Sequence, residues 1–308
     1  MMHGQQSPPT STVFDLVNDA EAVAHHDIDA GRGLHLYIAE SGNGPPLVLL
    51  HGFTGSAETW TPFRQMFESA YRFIAIDQPG HGRSSSPADP SLYLIDRFGD
   101  ALSRVFDSFR IDRAVLVGYS MGGRAALRFA VDHLDRVAGL VLESTSPGIA
   151  DGKQRFDRTA ADTELADLIE LDGIEKFVRR WERLPLWDTQ RRLSDKTLAG
   201  QHERRLTNNP TGLANSLRGA GAGKDLPMLD AAMRIRVPAL LIAGALDSKY
   251  VALGGLLEKA IPDSRLKVIP NSGHAVHLEQ PEAFAATILE FLSTIPSARG
   301  RWKSPIEH

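Results

Sequence analysis

The chain has 308 residues, 42% hydrophobic and 23% charged, with a formal net charge of -4 and no cysteine. Such a composition fits a soluble globular protein with a sizeable core and argues against nucleic-acid binding. The missing cysteines exclude disulfides, thiolate metal sites and cysteine nucleophiles. No apolar run approaches the ~20 residues that span a bilayer, so no membrane partner is expected.

Residues 1–20 are mostly polar, carry Pro8-Pro9, and lack a basic region followed by an apolar one. They read as a leader without fixed structure, not a secretory signal, and the expected location is the cytoplasm. Leu34-His35-Leu36-Tyr37-Ile38 alternates and predicts an antiparallel edge strand. Short apolar runs follow: Leu47 to Leu50, Phe73 to Ile76, Ala114 to Val117, Leu140 to Leu142, Ala239 to Ala243 and Leu266 to Ile269. Each is bounded by turn residues, as buried strands of a mostly parallel sheet are. Helical patterns fill the gaps at about Ile95 to Phe109, Arg124 to His133, Gly254 to Ile261 and Pro281 to Ser293. The alternation predicts a doubly wound α/β sheet.

From about Thr145 to Arg236 the spacing breaks. This stretch has helical periodicity, no strand pattern and many arginines. Leu165, Leu168 and Ile169 share one helical face, as do Phe177 and Trp181. It is expected to form a helical lid (145–236) inserted into a core made of 21–144 and 237–296. A separate helical domain away from any site is the alternative. Residues 297–308 read as a flexible tail.

Chemistry enters at Gly118-Tyr119-Ser120-Met121-Gly122. Strand residues precede it and helix formers follow, the context of a nucleophile elbow. A serine merely capping that helix is the plain alternative. A reactive serine needs a histidine to take its proton and an acid to orient the histidine. Asp247 lies just past the run Ala239 to Ala243, and His274 just past Leu266 to Ile269. The order Ser, Asp, His and the three strand-end positions point to a triad of Ser120, Asp247 and His274. His277 competes with His274, but His274 follows a glycine in a loop whereas His277 leads into a helix. The oxyanion donors are expected to be the amides of Met121 and of Phe53, in His51-Gly52-Phe53-Thr54-Gly55.

With Asp77-Gln78-Pro79-Gly80-His81-Gly82-Arg83-Ser84 added, these pieces resemble the α/β-hydrolase superfamily over 34–296. Finer segments are similar to the 2-succinyl-6-hydroxy-2,4-cyclohexadiene-1-carboxylate synthase family of menaquinone biosynthesis. They include Gly122-Gly123-Arg124, Trp181-Glu182-Arg183-Leu184-Pro185-Leu186, Asn208-Asn209-Pro210 and Gly273-His274-Ala275-Val276-His277-Leu278-Glu279-Gln280-Pro281. The resemblance implies a lyase that abstracts a proton and eliminates pyruvate, without cofactor or metal, from a small anionic substrate. It implies carboxylate-binding roles for Arg124, Arg158 and Arg205, whose planar forks suit carboxylates. Tyr119 and Trp181 are expected to line the pocket, with Lys249 a further cation. Tyr250 departs from the phenylalanine frequent in that family. A carboxylesterase or carbon–carbon bond hydrolase with a nucleophilic Ser120 stays open, since the triad serves both chemistries. A non-catalytic receptor has no need of an intact proton relay. Oligomeric state is not legible.

Overall fold

A computed structural model describes residues 23–295; the expected leader at 1–20 and tail at 297–308 lie outside them. The first three strands are β1 (Ala24–Asp29), β2 (His35–Ser41) and β3 (Pro46–Leu50). They are followed by α1 (Arg64–Glu68), β4 (Arg72–Ile76) and α2 (Ile95–Ser108). Then come β5 (Ala114–Tyr119), α3 (Met121–Asp132) and β6 (Val137–Glu143). Four helices follow without a strand between them: α4 (Gly152–Asp172), α5 (Ile174–Trp181), α6 (Asp195–Leu206) and α7 (Pro210–Ala220). The chain closes with α8 (Leu229–Ala232), β7 (Ala239–Gly244), α9 (Ser248–Ala260), β8 (Ser264–Ile269), α10 (Val276–Glu279) and α11 (Pro281–Thr294).

The strands form one sheet in the order β1-β2-β4-β3-β5-β6-β7-β8. From β4 to β8 every pairing is parallel, while β1 and β2 run antiparallel. The two-residue period divides each central strand between two cores. Val48 and Leu50 of β3, Leu116 of β5 and Leu241 of β7 pack with α2, α3 and α9. Leu47, Leu49, Val117, Leu240 and Ile242 point to the other face, against Phe67 and α11. Both faces are therefore covered, which is why these strands read as continuous apolar runs.

One expectation needs correcting. The Leu34–Ile38 strand is antiparallel but not at the edge, because β1 pairs with its outer side from Ala24↔Glu40 to Asp29↔His35. The β1 sequence Ala-His-His-Asp-Ile-Asp is polar and largely exposed, so no apolar period marks it. The helix expected from Gly254 begins earlier, at Ser248.

The helices between β6 and β7 carry a small core of their own. Ala166 and Ile169 of α4 meet Phe177 and Val178 of α5 and Leu213, Ala214 and Leu217 of α7. Later residues of the same stretch behave differently: Met228, Ala232 and Ile235 are buried in the core beneath the sheet.

Candidate active site

Ser120 follows the last residue of β5 with φ 52° and ψ -105°, a region that L residues rarely occupy. The turn closes only because its neighbours lack side chains. A Cβ on Gly118 would stand 2.4 Å from the Gly122 carbonyl oxygen, and one on Gly122 would stand 2.2 Å from that of Leu50. The Ser120 amide donates to the Glu143 carbonyl at 2.9 Å, tying the turn to β6.

Asp247 and His274 arrive from β7 and β8. Their loops are stitched together: Ala245 N donates to Ile269 O, and Leu246 N to Ser272 O, each at 2.9 Å. Asp247 serves two partners. One carboxylate oxygen accepts the Tyr250 amide at the start of α9 (3.3 Å), and the other lies 2.9 Å from His274 Nδ1. The cap and the relay are thus compatible readings of one side chain. His274 Nε2 lies 3.1 Å from Ser120 Oγ, which completes a line Asp247–His274–Ser120. The histidine is 3% exposed and packed against Tyr119, Trp187 and Tyr250, whose ring centroids lie 4.5–5.8 Å away.

His277 has another partner. Its amide and its Nδ1 both meet the buried Glu143 carboxylate at 2.9 Å. It packs edge-on to Tyr119, at 4.6 Å between ring centroids, and does not line the cavity of Ser120.

That cavity, of about 190 Å³, is lined by Ser120, His274, Phe53, Tyr119, Trp181 and Tyr250, with Arg124, Arg158 and Lys249 as its cations. Among the described residues, the amides of Phe53 and Met121 are taken up by no turn or cap hydrogen bond. Burial pushes the Tyr250 hydroxyl above its usual range, opposed by Arg124 and Arg158.

The three expected arginines part company. Arg124 begins one helical turn after Ser120, its amide donating to the Ser120 carbonyl. Its guanidinium binds Asp225 and the Ala220 carbonyl. Burial pushes the Asp225 carboxyl up even with this partner beside it. Arg158 pairs with Asp162 at 2.8 Å and remains half exposed toward the cavity. Arg205 does not reach Ser120's cavity. It donates to Glu182 and Gln201, lies over the Trp187 ring at 5.4 Å, and faces a second cavity of about 80 Å³. Phe53, Tyr119 and Trp187 border both cavities and form their common wall.

Sequence reasoning missed Trp187, Asp225 and the Glu143–His277 pair. Trp187 directly follows the quoted Trp181–Leu186 segment. Asp225 carried no local signal, because its partner lies 101 residues earlier.

A serine on a strained strand-to-helix turn, hydrogen-bonded through a histidine to an acid, on a sheet of this order, defines the class. The chain belongs to the α/β-hydrolase fold family, whose family model matches residues 45–281. Within that family it groups with the 2-succinyl-6-hydroxy-2,4-cyclohexadiene-1-carboxylate synthases. It is 40% identical to a putative synthase of that name from Bacillus subtilis, over 87% of this chain and 98% of the relative. It is 31% identical to the synthase of Escherichia coli, over 80% and 94%. Among solved structures it is similar to MenH from S. aureus, with a TM-score of 0.80 and 34% identity over 84% of this chain and 98% of that one. A thermophilic esterase from Thermogutta terrifontis is also similar, with a TM-score of 0.78 and 25% identity over 89% and 99%.

Proposed function

We propose that the protein is a lyase that forms 2-succinyl-6-hydroxy-2,4-cyclohexadiene-1-carboxylate by eliminating pyruvate, with Ser120, His274 and Asp247 as its proton relay. The observation that carries this reading is the hydrogen-bonded line Asp247–His274–Ser120 opening into a cavity with three cations, Arg124, Arg158 and Lys249. A neutral ester needs none of these charges. The synthase product holds two carboxylates by its name, and the departing pyruvate carries a third.

The chemistry follows from the groups present. Ser120 passes its proton to His274 Nε2 and takes a proton from the ring carbon beside the succinyl ketone. Asp247 holds the imidazole in place and stabilises its cation. The pair of the broken carbon–hydrogen bond stays in the ring and shifts its double bond, while the carbon–oxygen bond to the enolpyruvyl group breaks with its own pair going to the oxygen. The enolpyruvate takes up the proton held by His274 and becomes pyruvate. No water is consumed, in contrast to hydrolysis. Charge develops on the ketone oxygen, and the amides of Phe53 and Met121 are suited to receive it. In this reading Arg124 and Arg158 hold substrate carboxylates, Tyr119 and Trp181 shape the pocket, and Arg205 acts from behind the Phe53 wall. The helices of 145–236 serve as the lid over the strand ends. We also propose a cytoplasmic location, which cell fractionation tests.

The test is pyruvate release from the enolpyruvyl ring substrate by the wild type and by Ser120→Ala. The wild type is expected to release pyruvate, and the variant to lose about 10³-fold or more. Ester turnover without any pyruvate release overturns the lyase reading in favour of a hydrolase.

A further inference from the structure

Three spaces adjoin one another. The cavity of Ser120 shares Phe53, Tyr119 and Trp187 with the cavity of about 80 Å³. That smaller cavity shares Pro62, Arg204, His277 and Leu278 with a groove of about 1020 Å³. Among the described residues, Arg204 alone of the lysines and arginines borders both the small cavity and the groove. Its neighbour Arg205 is satisfied by Glu182, but no described residue accepts a hydrogen bond from the Arg204 guanidinium. Burial lowers its pKa, with Glu58 only partly opposing this. Among the described residues that line it, the groove carries Arg64, Arg83 and Lys196 against one acid, Glu58.

We propose that the small cavity is a second anion subsite, in which Arg204 binds the carboxylate of the short 2-oxo acid released by the reaction and the basic groove is its way out. This rests on the lyase reading for the identity of the ligand. Size supports it: at about 80 Å³ the cavity is less than half the volume of the cavity of Ser120, about 190 Å³, which favours the smaller of the two products. Charge supports it too: Arg124 and Arg158 in the cavity of Ser120 are each paired with an acid, Asp225 and Asp162, whereas the Arg204 guanidinium has no such pairing among the described residues. A guanidinium lacking a carboxylate partner in a partly desolvated site is the group that such an anion would satisfy.

The experiment is titration of pyruvate against the resting wild type, Arg204→Gln, Arg204→Lys and Arg158→Gln, by calorimetry or saturation-transfer NMR. Arg204→Gln is expected to weaken pyruvate binding about tenfold or more, the loss of one charge-assisted pair. Arg204→Lys, which keeps the charge but not the planar fork, is expected to fall between the wild type and Arg204→Gln, and Arg158→Gln to stay within about threefold of wild type. Melting temperatures confirm that each variant is folded. No saturable binding to the wild type, unchanged binding by Arg204→Gln, or loss only in Arg158→Gln overturns the proposal. Because no turnover is involved, a chain that binds pyruvate through Arg204 yet releases none from the ring substrate sinks the lyase reading and leaves this subsite standing.

Discussion

Arg124 and Asp225 meet beside the cavity of Ser120, each side chain only 8% exposed. The cation expected to meet a substrate carboxylate already has a buried acid beside it, and a backbone carbonyl as well. Removing one partner of such a pair leaves the other charge buried and uncompensated. Arg124→Ala is therefore expected to cost about 3–5 kcal/mol of stability, and Arg124→Ala with Asp225→Ala clearly less, in urea denaturation. The double variant is the proper background for judging recognition. There the KM for the anionic substrate is expected to rise while turnover of p-nitrophenyl acetate persists. Equal destabilisation by the single and double variants would remove the argument.

The elbow tolerates no added carbon. A Cβ on Gly122 meets two backbone oxygens, at 2.2 Å from Leu50 and 2.5 Å from His51, and backbone cannot swing aside as a side chain can. Gly122→Ala is expected to lose both folding yield and turnover. Gly99, inside α2, has nothing within 4 Å of its added Cβ. Gly99→Ala should stabilise the chain by about 0.5–1 kcal/mol, because alanine loses less entropy in a helix. Thermal melts of the two variants check this contrast, and similar shifts in both would contradict it.

Glu143 is fully buried, and its carboxylate holds the amide and the ring of His277. It is therefore expected to anchor the loop that carries His274. Glu143→Ala orphans two buried donors, at about 1–3 kcal/mol each. Glu143→Gln retains one acceptor and is expected to cost about half as much. Both should lower kcat more than they raise KM, since the relay histidine shifts while the cavity cations stay. Unchanged kcat in a folded Glu143→Ala would show that the pair does not position His274.

Acid should unfold this protein early. Burial holds His51 and His81 down, to about 3 and about 4. His51 uses its Nε2 to accept the Gln78 amide at 3.0 Å, which requires the neutral ring. A histidine whose folded value lies below its unfolded value stabilises above pH ~6.5, and that contribution is lost as pH falls, at about 1.4 kcal/mol per pH unit. Each contributes a loss of about 2 kcal/mol at pH 5. Asp77 opposes them: burial pushes it up to about 6, so its cost at pH 7 fades on acidification by about 1 kcal/mol. Urea midpoints are expected to report about 3 kcal/mol less stability at pH 5 than at pH 7. A flat or rising profile would contradict the burial of neutral imidazoles here.

Ser120, Asp247 and His274 were legible because each stands at the end of an apolar run with glycines nearby. Parallel strands deliver such ends to one edge of a sheet. The same logic separated His274 from His277, which binds Glu143 instead. β1 was not legible, since an exposed polar edge strand has no apolar period to betray it. Arg205 could be placed on a helix by its sequence, yet nothing local tells which side of Phe53 its guanidinium reaches.

By itself, the amino-acid sequence indicated the parallel core, the serine turn and the strand-end positions of Ser120, Asp247 and His274, because each is marked by a local pattern within a few residues. Only the tertiary structure decided that Asp225 neutralises Arg124, that Phe53, Tyr119 and Trp187 wall one cavity from the next, and that Arg204 stands between cavity and groove. Those relationships join residues far apart in the chain. They are fixed by how side chains from separate helices and loops fill a common space, which no local pattern encodes.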